Sequence, residues 1–115
     1  ESERFLVSLL KHEAQHASDM KLFPAITPAE LEYRAKLVEL RYASGLGLLQ
    51  KFLSEADESK TNDSHAVASA KIKRGFADTD KTDISLIQAR AQELFDASTK
   101  ESEEKYGKQK TASDG

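Results

Sequence analysis

Residues 27–53 read TPAELEYRAKLVELRYASGLGLLQKFL, and their reading decides the fold. Thr27 is a helix cap, Pro28 suits the first helical position, and Glu30 stands where a capping box needs a carboxylate. Leu31, Ala35, Val38 and Tyr42, then Leu49 and Leu53, fall along one side of a helix at that pitch. Gly45 and Gly47 end the helix, kink it or let another backbone come close. Helix is expected on both sides of them, so 28–54 is read as one long second helix.

The same period runs outward in both directions. Phe5, Leu6, Leu9, Leu10, Ala14 and Ala17 recur at three- and four-residue spacing and predict a first helix over 3–20 with that stripe inward. Phe23 and Ile26 anchor a loop around Pro24. Residues 55–63 are polar and read as a connection. A third helix is predicted over 64–74, with Gly75 as its stop, and a fourth over 83–105 with Ile84, Ile87, Ala91, Leu94 and Phe95 inward. The tail 108–115 has nothing to bury and reads as disordered. No segment alternates as a strand would. The expected fold is therefore all-α, about four helices in a single domain over 1–107.

Composition agrees. The 115 residues are 38% hydrophobic and 32% charged, with only two prolines and five glycines, which suits long polar-faced helices rather than a sandwich or barrel. A net charge of −3 gives no electrostatic reason to expect nucleic acid or an anionic membrane as partner. Without cysteine there is no disulfide framework, thiolate metal site or thiol nucleophile. No apolar run is long enough to span a bilayer. The acidic Glu1-Ser2-Glu3 does not read as a signal peptide, the missing initiator Met reads as a processed form or a piece of a longer chain, and the absence of Cys and of an intact start leans to an envelope or secreted setting. Neither a glycine-rich phosphate loop nor a serine nucleophile motif is present.

Chemistry concentrates at His12-Glu13-Ala14-Gln15-His16, an H-E-x-x-H motif on the first helix. Residues four apart share a helix face, so both imidazoles can ligate one zinc ion. Glu13 is one step round, placed to act as general base on a zinc-activated water. A hydrolytic zinc site wants three protein ligands and one open position. The third is sought on the next helix, where Glu32 lies opposite the histidines if the two helices form a hairpin. Glu39, two turns further along the same stripe, is the second choice. Glu30 and Asp19 stand behind them, Glu30 being better used in the capping box.

With its Pro-containing loop and the Glu32-Tyr33-Arg34-Ala35 segment that follows, the motif resembles the active-site helix pair of zincin metallopeptidases, most closely the small gluzincin-like proteins. The resemblance covers about residues 5–43. It implies a zinc peptidase with Glu13 as general base and His12, His16 and Glu32 as ligands, acting on a peptide or protein substrate. Zincins place a β-sheet before this helix, and its edge strand holds substrate by strand addition. Only eleven residues precede His12, so the chain reads as the helical part of such a domain, its sheet absent or supplied by a second chain.

Asp19, three residues after His16, is a candidate to orient a ligand imidazole, or else a partner for Arg34. Arg34 itself reads as a surface residue. His65 is a candidate oxyanion stabiliser, as are Tyr33 and Tyr42, although Tyr42 reads better as core. The alternatives to a peptidase are a non-enzymatic helical interaction domain and a zinc-binding relative without turnover.

Overall fold

A computed structural model describes residues 2–57 and 59–107, with side chains from Leu9 onward. Among these residues there are five helices and no strand: α1 (Ser2–Leu22), α2 (Pro28–Arg41), α3 (Gly47–Glu55), α4 (Ser64–Gly75) and α5 (Ile84–Tyr106). The tail at 108–115, read as disordered, lies outside the described residues, as do the side chains of Phe5 and Leu6. None of the described helices is long and apolar enough to cross a membrane.

Helix α2 is the axis. Helices α1, α4 and α5 pack against it, and α3 packs on α4. Residues 33–37 are consecutively buried, because neighbours cover α2 on several sides and leave no solvent face. The core joins Tyr33, Leu37 and Leu40 of α2, Leu49 and Phe52 of α3, Ala68, Ile72 and Phe76 at α4, and Ile87 and Ala91 of α5. Each of α2, α4 and α5 starts on a side-chain cap: Thr27, Asp63 and Asp83 accept from backbone N–H groups two or three residues on.

The long second helix read over 28–54 is two helices. It stops at Arg41 and restarts at Gly47, giving five helices where about four are expected. A straight continuation at 1.5 Å per residue would carry Phe52 about 16 Å past Arg41. The break instead folds α3 back, so Leu49 and Phe52 join the same core as Leu37 and Leu40. Gly45 and Gly47 have open space where a Cβ would stand, so they act by weakening helix and not by admitting a neighbour. Gly75 does the reverse. A Cβ there would come within 2.8 Å of Leu94 Cδ1, so this glycine serves the contact between α4 and α5.

From Leu9 onward, the inward stripe expected on α1 faces out. Leu9, Leu10, Ala14 and Ala17 are exposed, Leu10 by 67%. The side that meets α2 carries His12, Gln15, His16 and Asp19 instead, because α2 offers Glu32, Arg34 and Glu39 as charged partners there. Tyr42, read as core, is 52% exposed, since the chain leaves the helix at that point. Arg34, read as a surface residue, is buried: Nε donates to Asp19 Oδ2 at 2.9 Å, Nη1 to Ser98 Oγ at 3.1 Å, and the guanidinium stacks 4.3 Å from the Phe95 ring centre.

Glu30 completes only half of the capping box. Thr27 accepts from its N–H, but its carboxylate accepts from Tyr106 Oη at 2.6 Å and Lys105 Nζ at 3.0 Å, tying the end of α5 to the start of α2. Burial pushes this carboxyl up, yet the hydrogen bonds from Tyr106 and Lys105 outweigh it and hold it below the ordinary 4.5. A folded-state value below the unfolded one means stability that is complete above 4.5 and is lost as pH falls through the lower value. Urea unfolding from pH 7 down to about pH 3 should therefore show Glu30→Gln less stable than the parent at pH 7, with the gap narrowing as pH falls below 4.5.

Candidate metal centre

The loop between α1 and α2 is short and its anchors Phe23 and Ile26 are buried, so the two helices form an antiparallel hairpin. That register brings residue 16 level with the start of α2 and residue 12 one to two turns further along. His12 Nε2 lies 3.1 Å from Glu32 Oε1, and His16 Nε2 lies 3.2 Å from Glu32 Oε2. The two rings stack with centroids 4.5 Å apart. One ligand atom from each of His12, His16 and Glu32 falls within 4.8 Å of the other two.

These separations fit a cation. Ligands about 2.0–2.2 Å from a tetrahedral zinc stand about 3.4 Å from one another, and the nitrogen–oxygen contacts are 3.1 and 3.2 Å. The polar groups are also unsatisfied as they stand: His16 Nε2 and Glu32 Oε1 are buried and make no hydrogen bond. Such atoms cost stability unless an imidazolium proton or a bound cation pairs them. Two imidazoles and a carboxylate are one of the donor sets found in catalytic zinc sites.

Glu39 is placed differently from Glu32. Its Oε2 accepts from His12 Nδ1 at 2.9 Å, which favours a proton on Nδ1 and, in the neutral ring, leaves the Nε2 lone pair facing Glu32. This is the carboxylate–imidazole pairing that orients metal-bound histidines. The same hydrogen bond, opposed by burial and helped by the charges of Glu39 and Glu32, raises the His12 pKa above 6.5 in the metal-free protein. If the centre binds zinc, Glu39→Gln should lower that affinity about 10- to 100-fold, read by competition against a chelating dye.

Asp19 is not an imidazole partner. It is fully buried and its oxygens accept from Arg34 Nε at 2.9 Å and Gln15 Nε2 at 2.9 Å. Tyr33 faces the core, where burial pushes its hydroxyl up to about 12, and Lys71 Nζ lies 4.4 Å from its ring centre. Tyr42 is out at the end of α2 under Lys11 and Arg41. His65 does reach the centre. Capped through its N–H by Asp63, it brings Nδ1 to 3.4 Å from Glu32 Oε1 while its side chain stays 63% exposed.

A cleft of about 360 Å³ opens beside the group, between α1, α2, α3 and the start of α4. His12, Glu13, Glu39 and His65 line it together with Leu9, Leu48 and Phe52. Glu13 is exposed and turned into this space, not towards α2. Lys36 also lines the cleft, and no reading of the motif singled it out. The signal available was spacing: Glu32, Lys36 and Glu39 lie at i, i+4 and i+7 and share one face.

No protein-family model, curated protein or solved structure matches the chain.

Proposed function

We propose that the chain is a zinc metallopeptidase of zincin type, or its metal-binding helical portion. The observation that carries the reading is the convergence of His12, His16 and Glu32 on one point with unsatisfied buried lone pairs. His12 and His16 project from α1 and Glu32 from α2, so the hairpin itself holds the three ligands. Zinc bound there would lower the pKa of a water and polarise a peptide carbonyl. Glu13, at the cleft wall, takes the proton of the attacking water and returns it to the leaving amine. His65, exposed and next to Glu32, donates to the oxygen of the attacked carbonyl. Glu39 holds the His12 ring in register throughout.

The test is metal stoichiometry by plasma mass spectrometry on untagged protein, with peptide hydrolysis measured on the same samples. The parent is expected to hold close to one zinc per chain and to cleave. His16→Ala is expected to lose both. Parent protein that stays metal-free after reconstitution with zinc would end the proposal.

One observation favours a second reading, a helical interaction domain. Leu10 and Met20 of α1 are exposed by 67% and 52% on the side away from α2. A partner-binding helix would present such a face, and would do so without metal.

A further inference from the structure

Lys36, Lys51 and Glu55 are the charged residues of the cleft that hydrolysis leaves without a task, and of these only Lys36 is buried. It follows Glu32 by four residues, about 6 Å along the axis. Its side chain is 5% exposed, and its ammonium carries three donors. Glu55 Oε1 lies 3.6 Å away, beyond hydrogen-bond reach, and the Phe52 ring centre lies at 4.2 Å. Among the described residues the ammonium makes no hydrogen bond. A cation so withdrawn from water is costly without a close anion, and Glu55 is a loose one on the rim, itself 39% exposed.

Resting on the peptidase reading, we propose that Lys36 receives a carboxylate of the bound peptide. The other acids of the cleft do not compete for it: Glu39 accepts from His12, and Glu13 is on α1 across the opening. Leu9, Leu48 and Phe52 give the space an apolar wall on which the intervening side chain rests. Since Lys36 and the His12–Glu32 group border the same cleft, a carboxylate at Lys36 belongs to a residue close to the bond held at His12 and Glu32. It is either the peptide's own C-terminus or an acidic side chain close to the cleaved bond.

The test is calorimetric binding to zinc-loaded Glu13→Gln protein, which holds peptide without turning it over. Three N-acetylated peptide pools serve as probes: neutral with a free C-terminus, neutral with a C-terminal amide, and amidated with one glutamate near the end. A carboxylate-bearing pool is expected to bind about tenfold tighter than the neutral amide, since charge-assisted hydrogen bonds are the strong ones. Preference for the free-acid pool assigns the C-terminus, and preference for the glutamate pool assigns the side chain. Adding Lys36→Met should remove the preference, and Lys36→Arg should retain part of it. Equal binding of all pools, no binding of any, or a preference unchanged in folded Lys36→Met would overturn the proposal. A preference without cleavage by the parent would overturn the peptidase reading and leave the carboxylate site standing.

Discussion

Replacing Arg34 by methionine should cost about 3–5 kcal/mol of stability, because it strands the Asp19 carboxylate in a place where no water reaches it. Folded domains are stable by only about 5–15 kcal/mol, so this single change brings the chain close to unfolding. Arg34 links three helices: Asp19 on α1, its own α2, and Ser98 with Phe95 on α5. The loss is electrostatic more than steric, since methionine keeps much of the bulk against Phe95. Adding Asp19→Asn to Arg34→Met removes the stranded charge and should restore more than about 1 kcal/mol, the coupling expected of residues in one network. Urea unfolding of the four proteins measures both quantities. If Arg34→Met lies within about 1 kcal/mol of the parent, the buried pair is not what fastens α1.

The second large effect is expected on the proposed peptidase turnover. Glu13→Gln should leave zinc content unchanged and lower kcat by about 10²- to 10⁴-fold, the usual contribution of a positioned general base. The separation of effects follows from where Glu13 sits. It is exposed at the cleft wall and outside the group formed by His12, His16 and Glu32, so neutralising it removes no ligand. Full loss of zinc in this variant would make Glu13 a ligand. Unchanged hydrolysis would leave the protein as a binder and not a peptidase.

How far the sequence could be read depended on which forces set each feature. Helix starts at Thr27, Asp63 and Asp83 are local chemistry, a side-chain oxygen meeting N–H groups two or three residues away, and they stand in the structure where the residues place them. The histidine pair at i and i+4 is equally local, and Glu32 comes opposite it because a short loop admits only an antiparallel return. The face of α1 could not be read the same way. Its apolar spacing is real, but burial was decided by partners on α2, where Glu32, Arg34 and Glu39 reward a polar face more than an apolar one. Arg34 and Lys36 escaped for a related reason. A charged residue looks solvated until the helices around it are known, and α2 is enclosed by α1, α4 and α5. The break before α3 was visible as two glycines, while its purpose, returning Leu49 and Phe52 to the core, is a matter of three-dimensional distance.

The seam between α1 and α2 has one more consequence. Most hairpins close on an oily strip that resists acid, salt and chelators alike. Among the described side chains this one closes on imidazoles and carboxylates, with the Asp19–Arg34 pair at the looped end and the His12–Glu39 pair further from it. A divalent ion bound between the pairs would act as a rivet, and docking of the first helix would rise and fall with the supply of that ion. The protein would then be built with a detachable arm, whose amide protons exchange slowly when the ion is present and quickly when it is stripped away.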